Sequence, residues 1–154
     1  MYVSTKVDYA IRALAVFEQV DGARVTSADP AGAQGLSVPY MRDVLAPLSH
    51  AQIVSGNRLR RSGEAPRYAL AKRLDSVTMA QLFKALRLPL TEFHGFDEQP
   101  ANDGGAVHLR ELWVALRATI HHSLERITVS DVVHGRFLIE MRPLLEDERS
   151  WRGD

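Results

Sequence analysis

Residues 38–71 read VPYMRDVLAPLSHAQIVSGNRLRRSGEAPRYALA, and this stretch decides the fold. Val38, Met41, Val44, Leu45 and Leu48 recur at the spacing of one helical face. Two strand-like pieces follow, Ile53-Val54 and Tyr68-Ala69-Leu70, joined by a loop from Ser55 to Pro66 with Gly56-Asn57 and Ser62-Gly63 as turn material. A helix backed at once by a basic hairpin is the pattern of a winged helix-turn-helix. The helix enters the major groove, and the hairpin grips the flanking backbone or minor groove.

Charge supports that reading locally. The 154 residues carry 19 basic and 19 acidic side chains, so the formal net charge is zero. Yet residues 1–75 hold ten bases against seven acids, and residues 76–154 nine against twelve. Between 52 and 73 stand Arg58, Arg60, Arg61, Arg67, Lys72 and Arg73 with Glu64 alone opposing them. A local excess of cations is what phosphate binding requires. A charged hairpin can also be just a protected, soluble edge; the adjacent helix tips the balance toward DNA.

The flanks extend the motif. Ser37 is placed to cap the reading helix, with Pro39 tolerated in its first turn. Residues 26–35, TSADPAGAQG, are expected as a short, weak supporting helix, with Asp29 as cap and Pro30 at its first position; Gly35-Leu36 is the turn. Pro47 predicts a kink or an early end near Ala46. Residues 5–20 read as a first helix through Val7, Ala10, Ile11, Leu14 and Phe17, with Thr5 and Asp8 in a capping-box arrangement. Thr78 with Gln81 opens another helix that Pro89 closes; Thr128 with Asp131 opens a short one that ends at Gly135.

Residues 94–105 form a polar loop before a long helix from about Val107 to Ile127. Leu109, Leu112, Trp113, Leu116, Ile120, Leu124 and Ile127 line one face of that helix, near heptad spacing, so a partner helix is expected on it. The tail, 136–154, is amphipathic and then acidic, with Pro143 interrupting it. The expected architecture is mainly α with a small β-hairpin wing. It divides into a winged helix-turn-helix over 1–88, a loop over 89–106, a dimerisation helix region over 107–135 and a C-terminal extension over 136–154.

Other chemistries find little support. No cysteine is present, which excludes disulfides, thiolate metal sites and thiol catalysis. There is no phosphate-binding Gly-rich loop, nucleophile elbow or zinc-protease motif, so no catalytic residues are expected. His121 and His122 are neighbours pointing roughly 100° apart on a helix and share a metal poorly. His94, Asp97, Glu98 and His108 bracket the polar loop without a fixed ligand spacing. No metal or cofactor is expected. No run approaches the roughly 18 apolar residues of a membrane span, and the start lacks a signal-peptide pattern; a cytoplasmic location is expected.

Three segments, STKVDYAIRAL from Ser4, AQGLSVPYMRDVLAPL from Ala33 and LRELWVALRATIHHSLERITVSDVV from Leu109, together resemble the Rrf family of winged-helix bacterial regulators (IscR, NsrR and CymR type) across about residues 1–134. The resemblance implies a homodimer in which the long helix crosses its counterpart, with Leu109, Leu112, Trp113, Leu116, Ile120 and Leu124 at the interface. It implies a palindromic double-stranded DNA site, read through Ser37, Pro39, Tyr40 and Arg42 and gripped by Arg58, Arg60, Arg61 and Arg67. The expected function is a sequence-specific regulator, a repressor, with room for a small-molecule effector.

The departures from the family pattern matter as much. Family members that sense iron–sulfur clusters use three cysteines in the loop that here has none. Asp8 stands where one subgroup has a carboxylate ligand, and Arg12 where another has histidine. A carboxylate without thiolates does not hold a cluster, so the chain resembles a cysteine-free branch. Pro30, Pro47, Gln52 where a glycine is usual, and Pro66-Arg67 in a wing about three residues longer all fall in the reading apparatus. They keep a second reading open: a degenerate winged-helix dimer that binds a ligand or a protein but not DNA.

Overall fold

The computed structural model describes residues 4–20, 22–56, 65–88 and 108–152. In order these form α1 (Thr5–Gln19), β1 (Val25–Thr26), α2 (Ala28–Ala33), α3 (Val38–His50), β2 (Val54–Gly56), β3 (Arg67–Leu70), α4 (Met79–Ala85), α5 (Leu109–Arg126), α6 (Val129–His134) and α7 (Arg142–Glu146), with single 3-10 turns between some of them. The chain is mainly helical with one small antiparallel sheet, as the residue pattern predicts.

The sheet has three strands in the order β1-β3-β2. Val54 faces Leu70, Ser55 faces Ala69 and Gly56 faces Tyr68, while Val25 and Thr26 face Tyr68 and Arg67. The sequence reading finds the hairpin and misses β1. Two residues are too few to show an alternating pattern; β1 exists because β3 offers it a free edge.

One core joins the parts. Leu14 and Phe17 of α1, Met41, Val44, Leu45 and Leu48 of α3, Val54 and Tyr68 of the sheet, and Leu82 and Phe83 of α4 are buried together. Ile127 and Val129 complete the same core. The Met79 amide donates to the Ile127 carbonyl and the Val129 amide to the Val77 carbonyl, both at 2.8 Å. The C-terminal end of α5 is thereby locked to the start of α4.

The helix termini show how the sequence is read locally. Thr78 with Gln81 and Thr128 with Asp131 make the expected capping boxes. Thr5 with Asp8 does not: Ser4 caps α1, accepting from the Lys6 amide, and Asp8 pairs instead with Arg12. Nor does Asp29 cap α2. Its carboxylate accepts from the amide and hydroxyl of Thr26, each at 2.8 Å, so the helix starts earlier than expected and Pro30 falls inside its first turn. A helical first turn has no use for the missing N–H. Pro30 is then free to serve as an apolar core residue, and it is fully buried.

Two other prolines neither end nor interrupt a helix. The α3 helix runs through Pro47 to His50. Pro47 is half-buried at the edge of the buried stripe, and the packing of Val44, Leu45 and Leu48 outweighs one lost backbone bond. Pro143 lies in the first turn of α7 and begins that helix rather than interrupting one. The α4 helix ends at Ala85, before Pro89, because Arg87 turns left-handed (φ 55°).

Candidate nucleic-acid interface

The α2–turn–α3 unit is a closed helix-turn-helix. Gly35 takes φ 64°, and the Leu36 amide reaches back to the Ala31 carbonyl at 2.9 Å, ending α2 in a Schellman turn. Ser37 in extended conformation then caps α3, its hydroxyl accepting from the Tyr40 amide at 3.3 Å. Pro39 occupies the first turn of α3, as expected.

The far end of α3 closes in the same way. The Gln52 amide donates to the Ser49 carbonyl and the Ile53 amide to the Leu48 carbonyl at 2.9 Å, with Leu48 and Ile53 both buried at the turn. Gln52 itself has φ 56°, a conformation that favours glycine. The absent glycine leaves the backbone path intact and makes one residue bear the strain.

The buried stripe of α3 dictates what points out. Pro39, Arg42, Asp43, Ala46 and His50 are exposed. Tyr40 lies at the flank of this face. It is 38% exposed and meets Tyr9 of α1 edge to face, with ring centroids 5.8 Å apart. Among the described residues no carboxylate pairs with Arg42. Asp43, outside the expected site set, stands beside it on the same face. A helical wheel drawn from the sequence already exposes Asp43.

Arg67 is exposed on β3, next to β1. Arg58, Arg60 and Arg61 lie outside the described residues. Arg73 leaves the cationic cluster: its guanidinium is bound to the Asp75 carboxylate at 2.6 Å, which holds that carboxyl below its ordinary range and raises Arg73. Sequence counting treats Arg73 as free charge, and a pair two residues apart closes only when a 3-10 turn brings it round.

Of the residues expected at a dimer interface, Leu109, Leu112 and Leu116 are exposed. Trp113 and Ile120 are half-buried, and Leu124 packs on the core of its own chain. No residue of α5 is fully buried.

A helix-turn-helix followed by a three-stranded wing sheet defines a winged-helix protein. Residues 3–135 match the Rrf2 family, described as an iron-dependent transcriptional regulator, and the chain belongs to it. It is similar to Rv1287, a candidate HTH-type transcriptional regulator of Mycobacterium tuberculosis, at 29% identity over 97% of this chain and 92% of the relative. Among solved structures, a candidate transcriptional regulator from Listeria innocua superposes with a TM-score of 0.68 at 25% identity, covering 92% of each chain. CymR of B. subtilis, titled the global cysteine regulator of that organism, superposes at 0.65 with 24% identity, covering 87% of this chain and 97% of its own. The family is one of transcriptional regulators, not of enzymes.

The family description names iron, and the donor set of this chain does not fit a cysteine-ligated cluster. The sequence has no cysteine. Asp8, at the carboxylate position, is bound by Arg12 at 3.0 Å, at the position of the alternative histidine. Among the described residues no group of three or more histidines and carboxylates gathers around a point. His108 is engaged with Glu111 at 3.0 Å; His94, Asp97 and Glu98, the other residues that bracket the polar loop, lie outside the described residues. Among the described residues no helix is long and apolar enough to cross a membrane.

Proposed function

We propose that this chain is a homodimeric, sequence-specific repressor that reads a palindromic operator in the cytoplasm without a cysteine-ligated iron–sulfur cluster. The observation that carries the reading is α3: a capped helix that continues from Val38 to His50, anchored on one face and bare on the other. Ser37 and the first-turn amides meet phosphate, as helix N-termini do. Pro39 and Tyr40 set the approach of the first turn to the groove edge. Arg42 is the base-reading cation, able to pair bidentately with guanine. Arg67 and the wing arginines Arg58, Arg60 and Arg61 supply backbone grip.

The intact path of α2 and α3 through Pro30 and Pro47 favours this reading over a degenerate module that has lost DNA binding. The uncovered leucines of α5 support a dimer through Leu109, Leu112, Trp113, Leu116, Ile120 and Leu124. Two reading helices would then fall about one helical turn of DNA apart, 34–36 Å. An effector, where one acts, is a small molecule rather than a cluster.

Selection of bound sequences from random duplex DNA by the purified protein, at two salt concentrations, tests the proposal. A palindrome is expected. Absence of enrichment at low salt overturns it. Replacing Arg60 and Arg61 with Ala is expected to weaken binding to all sequences and to flatten its salt dependence; an unchanged slope removes the wing from the mechanism.

A further inference from the structure

The exposed apolar side chains are distributed unevenly. Tyr40 is the one large hydrophobic exposed in the described part of the winged-helix half, whereas Leu109, Leu112, Val114 and Leu116 on α5 and Phe137, Ile139, Leu144, Leu145 and Trp151 on the tail are all exposed. On α5 they lie only in the N-terminal half; the C-terminal end is taken up by the core through Leu124 and Ile127. The tail is anchored at that C-terminal end. Leu138 and Met141 pack on the core, and Glu140 pairs with Arg126, the last residue of α5. Within this anchor Ile139 turns outward and is 78% exposed, and beyond it Leu144 is 62% and Trp151 72% exposed.

We infer that the tail is an intersubunit strap: residues 139–151 of one protomer cover the N-terminal half of α5 on a second copy of this chain. The inference rests on the dimer proposed above and supplies what that dimer lacks. An 18-residue helix is about 27 Å long and about 10–12 Å across, and the third of its solvent-accessible wall that one partner helix covers is about 400 Å² per protomer. A stable interface takes about 800 Å² from each partner. The α5 pair alone falls well short.

The direction follows from where the cores sit. Each core is fixed to the C-terminal end of its own α5. Antiparallel pairing of the two helices about a two-fold axis separates the reading domains by roughly the helix length; parallel pairing would crowd them together. With the axis near Leu116, the C-terminal end of one α5 lies beside the N-terminal end of the other. Each tail anchor then stands next to the partner's Leu109 and Leu112, at the end of the α5 seam. The two patches complement each other reciprocally, as an isologous interface requires.

The absence of native cysteine makes the test direct. Chains carrying Leu112→Cys are co-expressed with chains carrying Leu144→Cys or Ile139→Cys and oxidised mildly; a covalent heterodimer is expected with at least one tail position. Leu116→Cys alone reports the α5 pair by linking to itself. Linkage through Leu116→Cys without any tail linkage overturns the strap and leaves the dimer standing. No linkage anywhere, with a monomeric full chain in sedimentation, overturns the dimer and the strap together. An intramolecular link in a single chain carrying both Leu112→Cys and Leu144→Cys also overturns the strap, because the tail then covers its own helix. Truncation after Arg136 is expected to weaken dimerisation at least tenfold with helix content retained; an unchanged dimer dissociation constant overturns the proposal.

Discussion

Tyr40 on the reading helix meets Tyr9 on α1 edge to face, the planes at 87° and the ring centroids 5.8 Å apart. The contact ties the flank of α3 to the first helix. Such a pair contributes about 0.5–1.5 kcal/mol beyond the area it buries. Tyr9→Ala is expected to lower stability by more than that amount, because the packing of the ring on the core is lost with the pair, and to weaken operator binding although Tyr9 lies off the exposed face of α3. Tyr40→Phe keeps the ring pair. Thermal unfolding and a binding titration, run on both variants, separate the positioning role from a direct hydroxyl contact.

Arg42 and Asp43 are exposed side by side on α3. Arg42→Ala is expected to cost about 1–3 kcal/mol on the preferred sequence and to relax the preference at one base position. Asp43→Asn is expected to strengthen binding to all sequences by removing repulsion from phosphate, and to reduce discrimination where a cytosine amino group is read. Binding to a set of singly substituted operators distinguishes the two patterns.

Gln52 and Arg87 each end a helix with positive φ, 56° and 55°. An L side chain in that conformation costs about 1 kcal/mol relative to glycine. Gln52→Gly and Arg87→Gly are each expected to stabilise by about 0.5–1 kcal/mol, a rise in Tm of roughly 1–4 °C. The two sites lie in different turns, and their effects are expected to add in the double variant.

Pro47 leaves the Asp43 carbonyl without its helical donor. Pro47→Ala is expected to stabilise by about 1–2 kcal/mol, the restored bond exceeding the entropy the unfolded chain regains. DNA affinity is expected to be unchanged, because the helix already continues past this position to His50. Chemical denaturation together with a binding titration checks both.

Asp131 ionises at lower pH in the folded chain than its ordinary value, first because the Thr128 hydroxyl donates to it, then through the Thr128 amide and Arg136. A depressed carboxyl contributes stability that is present above its unfolded value, about 4, and is lost as pH falls through its folded value. Asp131→Asn is expected to destabilise the chain at pH 7 by a cap's worth of about 1 kcal/mol, read as a lower Tm. The gap from the parent chain is expected to narrow steadily below pH 4 in a pH series of melts.

Much of this was legible in the residues because it is local. Ser37, Thr78 and Thr128 cap the helices they were expected to cap, and the α3 stripe is buried as its spacing requires. Misreadings cluster where two local solutions compete. Asp29 can cap a helix itself or complete a box with Thr26, and Asp8 can answer Thr5 or Arg12. Only the packed neighbours select among such options. Of the candidate site, Arg42 and the exposed face were readable, whereas the withdrawal of Arg73 by Asp75 and the lean of Tyr40 onto Tyr9 were not.

The sequence by itself determined the order of elements, the helix-turn-helix with its basic wing, and the lack of any thiolate donor. These depend on periodicity, capping and composition, which act over a few residues. The tertiary structure decided that Pro30 and Pro47 are tolerated, that a two-residue strand completes the sheet, and that the apolar residues of α5 divide between a core-bound end and a bare one. Those outcomes depend on burial energies summed over residues distant in the chain, and burial is defined only once the chain has folded.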